Sequence, residues 1–360
     1  MGNPSCNICG LAMIKHGTTA AGRRRFRCTN CGAIASRANN VRARYFATFL
    51  AFIVGKVVYR DLSGYGRTAR RRFEEFWRLW PTAPLVDEVH PVVFVDGIYL
   101  ARNVVMLIAC TKTHVIGWHM ARSEHAGAWS ALFSRIAASC VVVCDGGSGI
   151  MKALRQEWPT TRVQRCVFHA FNAVKRKTTT RPRTNAGVEL YAIAKALLKV
   201  KTPQEAHAWR SELTAWNASW AEFLTQKTKL ADGRIVNTHR HLVDAKNSLN
   251  ALMKSGLLFT FLDPDLIARA GVVIPATSNQ IEGGSNTLLR TMLRTHRGMC
   301  LQRRIKAVAW WCYLHTPDPL PPAQLLAHTV TDEQIVAMYQ LAHDRRAAQE
   351  ELNMWGTGAE

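Results

Sequence analysis

The chain has 360 residues, 48% of them hydrophobic, which is enough for two or three domains and excludes a disordered tail. Its 47 Lys and Arg against 25 acidic residues give a net charge of +22, which favours a polyanion such as nucleic acid as partner. The longest apolar run, near Tyr45 to Val54, is about ten residues and excludes a membrane span. We expect a soluble cytoplasmic protein with no signal peptide, associated with the nucleoid.

Residues 1–40 contain two cysteine pairs, Cys6 with Cys9 and Cys28 with Cys31, separated by eighteen residues. This spacing predicts a zinc ribbon that holds one structural Zn²⁺ with four thiolates; two disulfides or buried free thiols are the alternative. Four arginines between the pairs are candidate phosphate contacts, although such a run is also typical of a solvated surface. They are Arg23, Arg24, Arg25 and Arg27.

Residues 41–82 predict a DNA-binding helix-turn-helix. Apolar spacing from Phe46 to Ile53 indicates a first helix, and glycines at 55 and 64 interrupt the pattern. The second helix carries three further candidate DNA contacts. These are Arg70, Arg71 and Arg72.

From residue 91 the pattern predicts an antiparallel meander of three strands, a helix over 125–138, a buried strand, a helix over 149–157, another strand and a helix over 170–177. This is the element order of an α/β, RNase H-like core. Residues 179–275 predict an all-helical insertion with little β signal. Its Trp209, Trp216 and Trp220 have helical spacing, which favours core packing over a base-stacking role.

Three carboxylates stand out. Asp96 and Asp145 each end an apolar run of residues, where a charge is costly unless it has a function, and a Gly pair follows Asp145. The alternative for Asp96 is a turn-forming residue before Gly97. The alternative for Asp145 is a Gly-rich turn that is structural or binds a nucleotide. Glu282 lies three residues after Asn279, which also fits a helix-capping box. Together the three could bind two Mg²⁺ or Mn²⁺ ions and act on a phosphodiester.

Four segments, in chain order, resemble the DDE transposases of bacterial insertion sequences related to the eukaryotic Mutator elements. They are VFVDGIYL, CVVVCDGGSGI, RCVFHAFNAVKR and ATSNQIEGGSNTLLRTMLRTHRGM. The resemblance covers roughly residues 90–315, and one branch of the family has a zinc ribbon followed by a helix-turn-helix. It implies that Asp96, Asp145 and Glu282 are the catalytic, metal-binding triad.

The resemblance also implies supporting residues. The family's Cys-x-x-His matches Cys166 and His169, and its Asn before the catalytic Glu matches Asn279. We expect His169 near the active site, in contact with DNA or a carboxylate; a buried core pair is the alternative. One departure is Gly283-Gly284, where relatives often have Arg and an aromatic residue; each glycine weakens a helix by about 1 kcal/mol.

A set of three residues after the expected catalytic helix is predicted to bind DNA near the scissile phosphate. The alternative is a solvated helix end. They are Arg294, His296 and Arg297.

The sequence therefore predicts an RNase H-like catalytic core over 90–178 and 276–316, with a helical insertion over 179–275 and a helical tail over 317–360. The expected function is that of an insertion-sequence transposase. It binds double-stranded DNA at terminal inverted repeats, cleaves it by metal-dependent hydrolysis and joins the 3′-hydroxyl to target DNA by transesterification. A homodimer or larger synaptic complex is implied.

Two other functions are open. One is a DNA-binding regulator derived from a transposase, in which the N-terminal modules suffice. The other is an RNase H-like nuclease without strand transfer. The three carboxylates argue against the first, and the zinc-ribbon head and the insertion argue against the second.

Overall fold

A computed structural model describes residues 3–6, 8–36, 41–278, 283–284 and 286–355. Within these residues the strands are, in chain order, β1 (Ile14–Thr18), β2 (Arg24–Arg27), β3 (Ile34–Ser36), β4 (Leu79–Trp80), β5 (Val92–Ala101), β6 (Val104–Cys110), β7 (Val115–Ala121), β8 (Val141–Cys144), β9 (Arg162–Arg165), β10 (Lys227–Lys229), β11 (Ile235–Asn237) and β12 (Val330–Thr331).

The helices of the same residues are, in chain order, α1 (Val41–Val54), α2 (Arg67–Phe73), α3 (Ala126–Phe133), α4 (Ser148–Glu157), α5 (Val167–Thr178), α6 (Asn185–Ala196), α7 (Pro203–Ser219), α8 (Ala221–Thr225), α9 (Arg240–Ser255), α10 (Pro264–Ala270), α11 (Asn286–Thr295), α12 (Leu301–Leu314), α13 (Pro322–Leu325) and α14 (Asp332–Trp355). None of the described helices is both long and apolar enough to cross a membrane.

The central sheet has five strands in the order β7-β6-β5-β8-β9. β5, β6 and β7 pair antiparallel as consecutive hairpins, so the predicted meander is confirmed. β8 pairs parallel to β5 and β9 parallel to β8, because α3 and α4 return the chain to the same end of the sheet. The carboxyl ends of β5, β8 and β9 therefore lie at one edge.

Both faces of this sheet are covered, which explains why its strands are almost continuously apolar. Alternate residues of β5, such as Phe94 and Ile98, pack with α1 and α12 in one core. The intervening residues, such as Val93 and Val95, pack with α3 and α4 in a second core. Buried apolar surface contributes about 25 cal/mol per Å², so these two cores stabilise the sheet and the helices that cover it.

The helices α1 and α2 pack on the central sheet. Phe49 and Phe76 are fully buried in the core that also contains Phe94 and Trp310. The connection between α1 and α2 contains two 3₁₀ turns, and Gly64 and Gly66 have φ of 61° and 69°. This connection is longer than the three to four residues of a tight helix-turn-helix, so the local geometry differs from the compact motif that the sequence predicts.

The insertion forms its own core with α5, in which Trp209 and Trp216 are buried. Their indole N–H groups donate to the carbonyls of Ile193 and Ala186, so packing accounts for both side chains. A two-stranded hairpin, β10-β11, interrupts the helices. The sequence analysis missed this hairpin, although Asp232-Gly233 between its strands is a recognised turn signal.

The C-terminal helix α14 is attached to the core at its first residue. Lys306 of α12 is 1% exposed, and its Nζ donates to the Asp332 carboxylate at 2.6 and 2.8 Å and to the carbonyl of Trp77. The indole N–H of Trp80 donates to the same carboxylate at 2.7 Å. β12 pairs with β4 beside this contact, so the first residues of α14 are held firmly against the N-terminal part of the core.

Candidate functional site

Asp145 directly follows β8, and Asp96 lies within β5, five residues before that strand ends at Ala101, so Asp96 does not end its strand; the place in the sheet that the two aspartates share is called the acidic edge. Phe94 of β5 pairs with Val143 of β8 in the parallel register, and each aspartate lies two residues beyond its member of that pair. Adjacent strands are about 4.8 Å apart, and residues two apart lie on the same face. The register therefore brings the two carboxylates together, as expected for a shared site.

Hydrogen bonds fix the orientation of both carboxylates. Asp96 Oδ1 accepts a hydrogen bond from the backbone N–H of Gly97 at 2.9 Å. Asp96 Oδ2 accepts one from Asn286 Nδ2 at 2.6 Å. Asp145 Oδ1 accepts from the N–H of Gly147 at 2.9 Å. Asn286 is 1% exposed and begins α11, so the start of this late helix is joined directly to the first aspartate.

Glu124 supplies a third carboxylate to this edge. Its side chain lies on the backbone of Gly97, where an added Cβ would be 2.6 Å from Oε1 and 2.8 Å from Cδ. Burial, together with the smaller effect of the charges of Asp145 and Asp96, raises the pKa of Glu124 to about 7. Glu124 was not predicted from the sequence, because it lies three residues beyond the end of β7, and β6 separates β7 from β5.

A cation borders the same site. Gly146 has a φ of 69°, and a Cβ added there would overlap the side chain of Arg165, which ends β9. Both features require glycine next to Asp145. The guanidinium beside the acidic edge is suited to a phosphate oxygen, because it donates parallel hydrogen bonds.

The acidic edge fits the divalent ions that the sequence predicts. Asp96, Asp145 and Glu124 are all half-buried, and carboxylate oxygens are the ligands that Mg²⁺ and Mn²⁺ prefer. Burial first, and then the charges of Asp145 and Asp96, raise the pKa of Glu124, and a bound cation would favour its charged form. These side chains would hold the ion or ions.

Glu282 and Asn279 lie outside the described residues. The segment that leads to them is docked on the start of α5. The N–H of Ser278 donates to Cys166 Sγ at 3.3 Å, and the N–H of Val167 donates to the carbonyl of Ala276 at 3.1 Å. These two hydrogen bonds hold the segment that precedes Glu282 next to Cys166.

Cys166 is fully buried, and His169 is half-buried one helical turn further on. Burial raises the pKa of the Cys166 thiol, but hydrogen bonds from His169 and Ser278 outweigh it and lower the pKa overall. The pair therefore interacts with the segment before Glu282. A contact of His169 with DNA stays a prediction.

The predicted DNA contacts lie mostly on the surface. All are exposed except Arg25, which is half-buried, and His296, which is 7% exposed. The His296 ring packs on Phe52 at 5.1 Å between centroids, and burial lowers its pKa. The exposed members are Arg23, Arg24, Arg27, Arg70, Arg71, Arg72, Arg294 and Arg297.

The four N-terminal cysteines form one cluster. Three pairs of Sγ atoms are 3.3 to 3.7 Å apart, Cys6 with Cys31 and Cys9 with both Cys28 and Cys31. All four are free cysteines whose ligand atoms lie within 4.8 Å of one another, a grouping that favours one shared metal ion over two separate disulfides. With metal–sulfur bonds of about 2.3 Å, tetrahedral coordination fits this spacing. The cluster could hold one zinc ion.

Local backbone geometry explains this cluster. Gly10 and Gly32 follow the second cysteine of each pair with φ of 75° and 72°, and their N–H groups donate to the carbonyls of Cys6 and Cys28. Backbone N–H groups, chiefly of Cys9 and Cys31 respectively, lower the pKa of Cys6 and Cys28. Each turn thus favours the thiolate form of its first cysteine, whereas hydrogen bonds with the neighbouring cysteine side chains raise the pKa of Cys31 to about 12 in the metal-free cluster.

Comparison with known proteins identifies the family of this chain. The family model described as "Transposase, Mutator family" matches residues 67–251, just over half of the chain, including Asp96 and Asp145. A probable transposase for an insertion sequence element from Corynebacterium diphtheriae is 25% identical over 158 residues, which are 39% of this chain and 44% of that protein. The chain therefore covers less than half the length of that relative. Since the family match extends over more than half of the chain, the protein belongs to the Mutator family of transposases.

Proposed function

We propose that this protein is the DDE-type transposase of an insertion sequence. It would cleave double-stranded DNA at terminal inverted repeats and join the freed 3′-hydroxyl to target DNA. The observation that carries the proposal is the in-register placement of Asp96 and Asp145, with Glu124 beside them, at one edge of the sheet. The strand order, a meander followed by parallel strands, supports an RNase H-like catalytic core.

The proposed chemistry assigns a role to each group. Asp96, Asp145 and Glu282 would hold two Mg²⁺ or Mn²⁺ ions, with Glu124 as a further carboxylate ligand and Asn286 orienting Asp96. When bound, such ions activate the attacking oxygen and stabilise the leaving oxygen. Arg165 would hold a non-bridging phosphate oxygen at the edge of the site. The same residues would serve hydrolysis first and strand transfer afterwards.

The N-terminal part would recognise the DNA. A zinc ribbon held by the four cysteines presents exposed arginines on β2, and α2 presents three more. Contacts to phosphates give affinity that falls steeply with salt concentration, whereas arginines that reach base edges give specificity. Joining two DNA ends would require a homodimer or a larger assembly.

The test uses the full-length protein, duplex DNA from the flanks of its gene, and Mg²⁺ or Mn²⁺. Nicks are mapped for the wild type and for Asp96→Asn, Asp145→Asn and Glu282→Gln. Glu222→Gln, an exposed carboxylate of the insertion, is the matched control. We expect metal-dependent nicks at the repeat ends that all three site variants lose and the control keeps. Tight binding without nicks would favour the DNA-binding regulator.

A second assay separates transposition from simple nuclease activity. A pre-nicked duplex with a 3′-hydroxyl at the mapped position is mixed with supercoiled target DNA. Covalent joining that Asp145→Asn abolishes supports strand transfer. Nicking without any joined product would favour the RNase H-like nuclease.

A further inference from the structure

A groove between α5 and α9 leads away from the acidic edge. The helix α5 begins two residues after Arg165, and the chain returns to Arg165 after α9, where the carbonyl of Leu257 accepts a hydrogen bond from the Arg165 N–H at 2.9 Å. Lys177, in the last turn of α5, donates to Asp244 in the first turns of α9 at 3.1 Å. The two helices therefore run antiparallel. The groove extends from the acidic edge to the place where α5 ends and α9 begins.

The lining of this groove combines small residues with cations. It encloses about 390 Å³, and the residues that leave this space are Ala173, Ala245 and Ser248. Arg176 and His241 are exposed beside them. The carboxylate of the lining, Asp244, is already paired with Lys177. A concave surface with this balance of charge favours an anion.

The loop after α5 brings two more arginines to the far end of the groove. Arg181 and Arg183 are both exposed, and Thr179 before them ends α5 with a φ of 63° and a ψ of −178°. Residues other than glycine rarely adopt this conformation, and such strain recurs in segments that bind ligands. The strained turn therefore indicates a function for the loop.

Packing holds this loop against the start of α9. A Cβ added at Gly187, in the first turn of α6, would lie 3.0 Å from Pro182 Cβ and 3.5 Å from Leu242 Cδ2. Pro182 lies between the two arginines in the sequence, and Leu242 belongs to the first turn of α9. The arginines of the loop and the first residues of α9 are thus neighbours.

The cations of these three segments form one cluster, which we name the basic junction. It consists of Arg176, Lys177, Arg181, Arg183, Arg240 and His241. Among the described residues, Lys177 is the one member that has an ion pair, with Asp244. Like charges that lie together without counter-charges repel one another, and a bound polyanion removes this repulsion. The basic junction therefore fits the phosphate backbone of DNA.

The basic junction lies at a definite distance from the acidic edge. Cys166 precedes α5, and its N–H donates to the carbonyl of Cys144, the residue before Asp145. Arg176 is ten residues further along the chain, and ten steps of 1.5 Å give roughly 15 Å. At 3.4 Å per base pair, this distance corresponds to about four or five base pairs of duplex DNA.

We propose that the groove and the basic junction bind the phosphate backbone of the duplex about four or five base pairs from the scissile phosphate. The inference rests on the proposed function and adds a DNA contact made by the insertion, separate from the contacts of the N-terminal part. Contacts with phosphates fix the position of a duplex without reading its sequence. This contact would therefore keep the scissile phosphate at the acidic edge whatever the base sequence beyond it.

The salt dependence of DNA binding provides the first test. The junction variant combines Arg176→Gln, Arg181→Gln and Arg183→Gln. The control variant removes the same charge from exposed positions of the β6–β7 turn, α4 and α10, by Lys112→Gln, Arg155→Gln and Arg269→Gln. Each phosphate contact contributes about 0.9 to the slope of log affinity against log salt concentration. We expect the slope to become shallower by about 2–3 in the junction variant and by less than 1 in the control variant.

Neutral phosphates locate the contact on the DNA. A single methylphosphonate linkage replaces each phosphate in turn, on both strands and over about ten base pairs on either side of the mapped nick. We expect the wild type and the control variant to bind at least threefold more weakly when a phosphate about three to six base pairs from the nick is neutral. The junction variant should show no further loss there, because the side chains that contact this phosphate are already neutral.

The inference is overturned if the junction variant keeps the wild-type salt slope, or if it keeps the sensitivity to neutral phosphates at that distance. Melting curves establish that the variants fold. If the junction variant melts early, Arg181→Gln with Arg183→Gln, both in the exposed loop, gives the same test with an expected slope change of about 2. A wild type that binds DNA without nicking it would refute the proposed function, and the salt slope would still decide whether the groove binds DNA.

Discussion

A methyl group added at Gly97 tests whether Glu124 belongs to the acidic site. The added carbon would lie 2.6 Å from Glu124 Oε1, 2.8 Å from its Cδ and 3.1 Å from Val105 Cγ2. Ordinary non-bonded contacts are about 3.5–4.0 Å, so the Glu124 carboxylate must move by roughly 1 Å. Overpacking of this kind costs about 1–3 kcal/mol of stability, and a displacement of 1 Å at a catalytic group can cost about 100-fold in rate.

The matched control is Gly147→Ala. This glycine also adjoins one of the two aspartates of the site, but its added Cβ would lie 3.6 and 3.9 Å from the Asp145 oxygens, which is ordinary contact. Its N–H would still donate to Asp145. Because it is the N-cap of α4, the change costs stability of about 1 kcal/mol or less, without moving the carboxylate.

The assay measures single-turnover nicking and Mn²⁺ affinity for both variants. We expect Gly97→Ala to lower the rate by about 10- to 100-fold and to weaken Mn²⁺ binding, and Gly147→Ala to change the rate less than threefold. In a Glu124→Ala background, Gly97→Ala should add no further loss, because the clashing carboxylate is gone. A wild-type rate for Gly97→Ala, or the same loss in both backgrounds, would refute the assignment of Glu124.

Three further predictions concern other features. Cys28→Ser should reduce bound zinc from one ion per chain to none by atomic absorption, whereas Cys300→Ser should keep it; equal zinc in both would contradict the cluster. The pKa of Glu124 is raised from its ordinary value near 4.5 to about 7, so the metal-free folded protein holds a proton that the unfolded chain loses, and stability falls as pH rises through this window. Glu124→Gln should therefore raise the urea midpoint of the metal-free protein at pH 8 and not at pH 4, and an unchanged midpoint at pH 8 would contradict this. Asp332→Ala leaves the buried Lys306 ammonium unpaired and should cost about 3–5 kcal/mol in urea unfolding, whereas Lys306→Met should cost less; equal costs would contradict the pairing.

The sheet was predictable because its strands are short apolar runs bounded by turns, and period and length suffice to identify them. Asp96 and Asp145 were predictable for the same reason, since a charge at the end of such a run is conspicuous. The cysteine cluster follows from spacing alone. The role of Glu282 stays a prediction of the resemblance.

Other features depend on tertiary contacts that no local pattern records. The Glu124 side chain lies on the backbone of Gly97, next to Asp96. Gly97 allows this because it has no side chain that would occupy the same space. His296 belongs to a basic segment whose composition is typical of a surface, yet its ring is buried against Phe52. The connection between α1 and α2 was expected to be tight, but packing on the central sheet determines its course.

The hydrogen bond between Asn286 and Asp96 has a consequence for the order in which the protein is completed during synthesis. The last strand of the sheet ends at Arg165, whereas Asn286 is made 121 residues later. At 5–20 residues per second, the ribosome needs about 6 to 24 s for that interval. A nascent chain that has folded its sheet would therefore hold Asp96 and Asp145 without their late partner. Full orientation of Asp96 is delayed until the insertion has been synthesised.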